Sequence, residues 1–234
     1  MSKPEKATLD DYDLGGIDCT RCGNTGMLIE RGPGILELHT YECPCMRTRR
    51  SLRSLRKAGM EDMARRYTMD AYKADTPGRE KIKAAAAQFV ESSEGWFFIA
   101  GRSGSGKTHI CTAICIGLME RNSEIQFMPW RDDSTSLKNG ITSREWYEEK
   151  VKRLKTVPVL YIDDFMKGGV SDADKRLAFE VLNARYNDTA KRTVISSEMD
   201  LGDIMKWDEA IGGRIYERSR GFAVRAPDEN WRLK

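Results

Sequence analysis

One glycine-rich segment constrains the fold of this chain more than any other feature. It runs from Gly101 to Thr108 with the pattern Gly-x-x-x-x-Gly-Lys-Thr, after the apolar run 96–100 and before an apolar-periodic stretch that begins at Ile110. Glycines let backbone N–H groups converge on phosphate oxygens, and the helix N-terminus behind them adds the positive end of its dipole. The segment therefore predicts a strand–loop–helix unit that binds nucleotide phosphates.

The residues of this loop have separate tasks. We expect Lys107 to reach the β- and γ-phosphates and Thr108 to ligate magnesium. The loop residues expected to bind the nucleotide are Gly101, Ser103, Gly104, Ser105, Gly106, Lys107 and Thr108. ATP and Mg²⁺ are thus the predicted cofactors.

Two carboxylates end a second apolar run, at Asp163 and Asp164. They would be costly to bury unless they emerge at the carboxyl edge of a sheet, where α/β proteins place their ligands. We therefore expect Asp163 to bind the magnesium ion and Asp164 to activate the attacking water. A further β-rich run, 193–197, ends in two serines that could lie beside the γ-phosphate.

The order of apolar runs predicts an α/β fold with a five-stranded parallel sheet wrapped by helices. The expected strands lie near residues 96–100, 125–128, 157–162, 193–196 and 222–225. Hydrophobic residues make up 40% of the chain and charged residues 32%, which is ordinary for a globular protein. No run approaches the length of about 20 apolar residues that a membrane span needs, and no signal peptide is evident. We expect a cytoplasmic protein without membrane contact.

Four of the six cysteines crowd near the start of the chain, as Cys19-x-x-Cys22 and Cys43-x-Cys45. Strand-like runs with a turn between them would bring the two pairs together, so that four thiolates meet around one tetrahedral Zn²⁺. His39 is an alternative to Cys45 as the fourth ligand. The pattern predicts a small zinc ribbon.

A basic run from Arg47 to Lys57 follows the cysteines and contains no acidic residue. At helical spacing Arg49, Arg53 and Arg56 would share a face. The run fits a helix that faces nucleic acid and fits equally well a solvated helix between domains. The formal net charge of +3 is too small to decide between them.

With the glycine-rich loop, the Asp-Asp strand and the Ser196-Ser197 strand end in one chain, the sequence resembles the DnaC/DnaI-type AAA+ helicase loaders, in particular phage-borne versions with an N-terminal zinc module. Other stretches that carry the resemblance are 43–46, 66–68 and 208–218. It implies an AAA+ P-loop NTPase core without a full lid domain, because too few residues follow Ser197 to form one.

The resemblance also implies roles for single residues. Ser197, or Ser196, would be the sensor of the γ-phosphate, and Arg218 the arginine finger delivered to a neighbour's ATP, with Arg214 as the alternative. Arg232 would have a later sensing role. Tyr67 and Thr68 look like the family's adenine-side linker.

Three parts are expected: a zinc-ribbon module (1–50), a basic helical linker (51–77) and an AAA+ ATPase domain (78–234). The function implied is an ATP-dependent loader that delivers the replicative helicase onto single-stranded DNA and self-assembles into oligomers or filaments with ATP. The DNA is expected at the loop after Asp164, and the run 47–57 is the rival site. The loop residues are Lys167, Gly168, Gly169, Lys175 and Arg176. The alternatives are an IstB-like transposition helper ATPase, a P-loop kinase and a zinc-dependent adaptor that binds ATP without turnover.

Overall fold

The computed structural model describes residues 18–32, 37–140, 143–168 and 171–231. The predictions made for Gly169 and Arg232, and for the first 17 residues, lie outside this part. Two sheets are present among the described residues. A two-stranded antiparallel hairpin pairs β1 (Met27–Arg31) with β2 (Leu38–Glu42), and a five-stranded parallel sheet forms the centre of the fold.

The parallel sheet has the strand order β4-β5-β6-β3-β7. Its strands are β3 (Trp96–Ala100), β4 (Ile125–Pro129), β5 (Val159–Phe165), β6 (Arg192–Ser197) and β7 (Ala223–Arg225). Helical segments connect successive strands, as parallel pairing requires. The predicted α/β architecture is confirmed.

Helices cover both faces of this sheet. They are α1 (Cys45–Lys57), α2 (Glu61–Arg66), α3 (Pro77–Glu91), α4 (Lys107–Glu120), α5 (Trp130–Asn139), α6 (Arg144–Thr156), α7 (Asp172–Tyr186), α8 (Leu201–Trp207) and α9 (Glu209–Arg218). Alternate side chains of β3 divide between two cores: Trp96 and Phe98 pack with α5 to α9, and Phe97 and Ile99 with α1, α3 and α4. Because neighbouring strand residues face opposite sides, a fully apolar strand such as β3 is buried on both.

The helix that follows the glycine-rich loop begins where the sequence predicts. Gly106 precedes α4 with φ 90°, a left-handed conformation that favours glycine. α3 begins at Pro77, which suits the first helical turn, and the Thr76 hydroxyl accepts a hydrogen bond from the Arg79 N–H at 3.4 Å.

Helix α1 covers the open edge of the parallel sheet. The Ser51 and Ser54 hydroxyls accept hydrogen bonds from the N–H groups of Ile125 and Phe127 in β4, each at 2.8 Å. Edge strands expose unpaired N–H groups that invite further strand pairing, and two serines one helical turn apart occupy them here. α1 is therefore docked directly on the edge strand.

The basic residues of α1 divide among different environments. The Arg49 side chain is 1% exposed and donates to the Asn24 carbonyl and side-chain oxygens at 3.4 and 3.0 Å, next to the cysteines. Arg49 therefore does not share an exposed face with Arg53. α1 is continuous through residue 50, where the zinc-ribbon module was expected to end. The division of the chain into three parts stays a prediction. In the described part of the chain, no helix combines the length and apolar character that crossing a membrane requires.

Candidate nucleotide site and metal centre

The glycine-rich loop lies at the carboxyl edge of the sheet, between β3 and α4. The Lys107 ammonium donates to the carbonyls of Gly101 at 2.8 Å and Arg102 at 3.0 Å, and the residue is 4% exposed. Burial lowers the pKa of Lys107, and the carboxylates of Asp164 and Glu198 oppose that shift. The phosphates of a nucleotide would replace the two carbonyls as partners of this charge.

Three hydroxyl groups donate hydrogen bonds to Asp163 near the end of β5. Its Oδ1 atom accepts from Tyr161 and from Ser196 at 2.6 Å each, and from Thr108 at 3.3 Å. Carboxylate and hydroxyl oxygens are the ligands that Mg²⁺ prefers, so Thr108 and Asp163 fit the predicted magnesium site. Sequence reasoning missed Tyr161, although its position two residues before Asp163 puts both side chains on one face of the strand.

Asp164 leaves the regular strand. Its φ is 51°, and the pairing of β5 with β6 shifts register between Ile162 and Phe165. Such an irregularity re-aims a side chain, and here the carboxylate forms an ion pair with Lys167 at 2.8 Å. Lys167 also pairs with Glu198 at 3.1 Å.

The two serines that end β6 have different partners, although both are fully buried. Ser196 Oγ donates to Asp163 and accepts from the Asp164 N–H at 2.9 Å, so it bridges both acids. Ser197 Oγ donates to the Phe165 carbonyl at 2.9 Å and accepts from the Met199 N–H at 3.1 Å. Ser196 is thus the serine with direct contacts to the acidic pair.

The two finger candidates lie on α9. Arg218 donates to the Thr189 carbonyl at 3.0 Å, just before β6 begins, so it sits at the amino edge of the sheet. The glycine-rich loop is at the opposite edge, a strand length of about 20 Å away. Arg214 lies one helical turn before Arg218 and donates to the Asn183 side chain at 3.0 Å.

The adenine-side candidates lie beside the first turn of α4. The Tyr67 ring stacks on the His109 ring, with centroids 4.6 Å apart, and the His109 Nε2 is 3.0 Å from the Thr68 carbonyl. His109 directly follows the glycine-rich loop. The expected linker residues therefore contact the helical turn that directly follows the glycine-rich loop.

The four sulfur atoms of Cys19, Cys22, Cys43 and Cys45 come together, with all four within 4.8 Å of one another. The Cys19–Cys43 and Cys22–Cys45 pairs are 3.8 and 3.7 Å apart. Zn–S bonds of about 2.3 Å in a tetrahedron put sulfurs about 3.8 Å apart, so the cluster fits zinc. His39 pairs instead with Glu37 at 3.3 Å on the exposed hairpin.

Partial burial raises the pKa of the Cys22 thiol, but hydrogen bonds from Gly26 and the neighbouring cysteines outweigh that effect and lower the pKa to about 7. Thiolates are the metal-binding form of cysteine, but burial and hydrogen bonds with the neighbouring cysteines raise the pKa of Cys45 in the same cluster. The sulfur geometry, rather than the pKa values, therefore supports zinc. The buried Cys111 and Cys115 side chains belong instead to the core, where burial raises their pKa.

Known proteins are similar to this chain in sequence and in fold. The profile of the family "IstB-like ATP binding protein" matches residues 35–218. The chain belongs to this family. The phage-like element PBSX protein XkdC of Bacillus subtilis is 31% identical over 229 residues, which cover 92% of this chain and 84% of that protein. The replicative helicase loader DnaC of Escherichia coli K12 is 22% identical over 172 residues, covering 72% of this chain and 69% of DnaC.

Solved structures agree on the fold. A crystal structure of the DnaC helicase loader has a TM-score of 0.64 at 21% identity and covers 70% of this chain and 99% of that one. The crystal structure of DnaI has a TM-score of 0.60 at 22% identity and covers 71% and 94%. The family match and the AAA+ P-loop fold make this chain an ATP-binding ATPase.

Proposed function

We propose that this ATPase loads a replicative DNA helicase onto single-stranded DNA. The observation that carries the proposal is the placement of Asp163, Asp164 and Ser196 at one edge of the sheet and Arg218 at the other. An arginine that cannot reach its own nucleotide acts only on a neighbour's, so hydrolysis depends on assembly into oligomers or filaments. Relatives named as helicase loaders align with 72% of the chain, which supports this type of ATPase.

The roles of the site residues follow from their contacts. Thr108 and Asp163 would hold Mg²⁺, which would neutralise charge on the phosphates, and Asp164 would accept the proton of the attacking water. Asp164 is released for this task when the phosphates attract Lys167, which is its ion-pair partner at 2.8 Å. Ser196 takes the sensor role in preference to Ser197, because its hydroxyl contacts both acids, whereas the Ser197 hydroxyl contacts only backbone groups outside the acidic pair.

The cysteine cluster holds one zinc ion and forms the surface that binds the helicase. The hairpin that carries it exposes three large apolar side chains, Met27, Ile29 and Leu38, which are 46%, 66% and 62% exposed. An apolar patch on a metal-stabilised hairpin is suited to a protein partner. Cytoplasmic placement, where thiols stay reduced and available to metal, accords with this assignment.

Two basic surfaces are candidate binding sites for the single-stranded DNA. A groove of about 600 Å³ opens between α1, α5 and α6. Its cationic residues are Arg50, Arg53, Lys57, Lys150, Lys152 and Arg153. Arg50 and Arg153 pair with Glu124, whereas the other four make no ion pair with any described residue. Acidic Asp133 and Glu149 also line the groove.

The surface after Asp164 has fewer unpaired cationic side chains than the groove. Lys167 is paired with Asp164 and Glu198, and Lys175 donates to the Trp207 carbonyl at 3.1 Å. Lys175 and Arg176 lie near the start of α7 rather than in the loop, which corrects the sequence-based expectation. Of the three cations, Arg176 alone has no ion pair or hydrogen bond within the described ranges. Unpaired cations favour the groove as the DNA site, because phosphate binding by a paired cation must first break the existing interaction.

ATP hydrolysis tests the function directly. We expect a low rate for the chain alone and stimulation by single-stranded DNA together with the host's replicative helicase. Arg218→Ala should abolish the stimulation while leaving ATP binding unchanged, because the finger acts in a neighbouring site. Arg220→Ala, an exposed arginine two residues further along, is the matched control. Stimulation by duplex DNA and a transposase instead would favour the transposition helper, and phosphate transfer to a small molecule the kinase.

Salt-dependent binding of a fluorescent oligonucleotide tests the DNA site. Substituting Arg53, Lys57, Lys150 and Lys152 by alanine should reduce the log–log salt slope by about 0.7 for each phosphate that is no longer neutralised. The matched variant carries Lys175→Ala and Arg176→Ala near the start of α7, next to the loop after Asp164. A changed slope for this variant with an unchanged one for the groove variant would return the DNA to the surface formed by that loop and α7.

A further inference from the structure

Residues 226–231, which we call the strap, lie against the glycine-rich loop. The Ala226 N–H donates to the Ala100 carbonyl at 2.7 Å, and the Trp231 N–H donates to the Gly104 carbonyl at 2.9 Å. A side chain at Gly101 would meet Ala226 at 2.8 Å, and one at Gly104 would collide with the Asn230 side chain. The strap therefore touches the loop at its start and in its middle, and the two glycines permit that close approach.

A second set of contacts fixes the strap to α3. The Arg79 side chain is 3% exposed, pairs with Glu229 at 2.7 Å, and lies with its guanidinium 4.1 Å from the centroid of the Trp231 ring. Arg79 also pairs with Asp75 just before α3. A buried arginine held by two carboxylates and an aromatic ring is a rigid anchor, because its planar fork is fixed on several sides.

The direction of the backbone hydrogen bond between strap and loop determines whether that bond competes with phosphate binding. At Gly104 the strap donates to a loop carbonyl, and that bond uses none of the loop N–H groups that phosphate requires. The Lys107 ammonium donates to Gly101 and Arg102 within the loop itself, so its release toward phosphate breaks no bond to the strap. Neither the Trp231–Gly104 backbone bond nor a strap contact of Lys107 thus has to break when phosphates bind.

We propose that the strap is a brace that holds the glycine-rich loop in its phosphate-binding shape, with Glu229 and Trp231 as positioning residues. The inference rests on the proposed nucleotide site and adds a second element to it. Holding a flexible loop in its bound conformation increases affinity, because binding then costs less conformational entropy. The strap residues themselves take no part in the chemical step, so their substitution acts on affinity rather than on turnover.

Nucleotide affinity and turnover of the full chain test the brace. For Glu229→Gln and Trp231→Ala we expect the Kd for a fluorescent ATP analogue to rise about tenfold, with kcat at saturating ATP within about twofold of the wild type. The matched control is Glu120→Gln, an exposed glutamate on α4. Trp231→Phe should restore much of the affinity, since a phenyl ring can still stack on Arg79.

Hydrogen exchange supplies a readout that does not depend on activity. The amides of the glycine-rich loop should exchange faster in Glu229→Gln than in the wild type, before any nucleotide is added. Tighter ATP binding in the strap variants would show that the strap competes with the nucleotide, and unchanged Kd and exchange would equally overturn the brace. Absence of ATP binding by the wild type would instead refute the nucleotide site itself.

Discussion

At the scale of single residues, one carboxylate oxygen organises the nucleotide site. Asp163 Oδ1 accepts from Thr108, Tyr161 and Ser196, which come from the loop helix and two strands. Each hydroxyl group is satisfied by the acid and orients it in turn. These hydrogen bonds therefore fix the position of the carboxylate oxygen that we propose as a magnesium ligand.

Substitutions at Lys107 and Asp164 distinguish ATP binding from ATP hydrolysis in the proposed mechanism. Lys107→Ala should abolish tight ATP binding, because the ammonium contacts the ground-state phosphates. Asp164→Asn should bind ATP with near wild-type affinity but hydrolyse it at least about a hundredfold more slowly, because an amide cannot accept the water's proton. Binding is measured by titration with a fluorescent analogue and turnover by phosphate release. Equal hydrolysis by Asp164→Asn and the wild type would remove Asp164 from the mechanism.

At the scale of elements, the docking of α1 on β4 depends on two serines. Ser51→Ala would leave the buried Ile125 N–H without its partner, and Ser54→Ala would do the same to Phe127. We expect each substitution to lower the free energy of unfolding by about 1–3 kcal/mol, the cost of an unsatisfied buried donor. Urea denaturation measures this, with the exposed Ser136→Ala on α5 as control. Destabilisation no greater than that of the control would mean that water satisfies the strand edge.

The strands were predictable because their residues are apolar on both faces. β3 has the predicted bounds, whereas β5 begins at Val159 and continues through Phe165, three residues beyond the predicted end. The extension arises from the register shift, in which Ser196 binds the Asp164 N–H across the strands. No local pattern encodes such a bond, since it joins residues 32 positions apart.

The candidate site was predictable where a motif names the chemistry, and less so where distant segments meet. Lys107, Thr108 and Asp163 follow from motif spacing. The strap does not, because Trp231 reaches Gly104 only after the whole sheet has formed. The sequence also could not predict which arginines of the basic run 47–57 are buried, because burial depends on the packing of α1 in the folded chain. Of Arg49 and Arg53, only Arg49 is buried.

At the scale of the whole molecule, α1 joins the cysteine cluster to the ATPase sheet. Cys45 is the first residue of α1, and Glu124 beside β4 pairs with Arg50, which also pairs with Glu42 in the hairpin. A continuous helix of 13 residues spans about 20 Å. The hairpin and the sheet are thus linked by a rigid element rather than by a flexible tether.

Metal removal tests the proposed zinc module. We expect one Zn²⁺ per chain, and chelation should unfold β1 and β2 while the parallel sheet keeps its protection from hydrogen exchange, because metal binding supplies the folding energy of so small a unit. Cys45→Ser should weaken zinc binding, whereas Cys115→Ser, in the core, should leave it unchanged. Native protein without zinc, or full affinity in Cys45→Ser, would refute the four-sulfur site.

The position of Arg218 also has a consequence for stoichiometry. If Arg218 is the finger, as proposed, each copy presents its nucleotide at one edge of the sheet and its finger at the other, so copies that complete one another's sites would stack head to tail. In an open stack the copy at one end has a nucleotide but receives no arginine. A dimer would then show half-of-sites turnover, and the rate per subunit would rise toward a plateau as the stack lengthens. A closed ring, having no end, would reach that plateau at once.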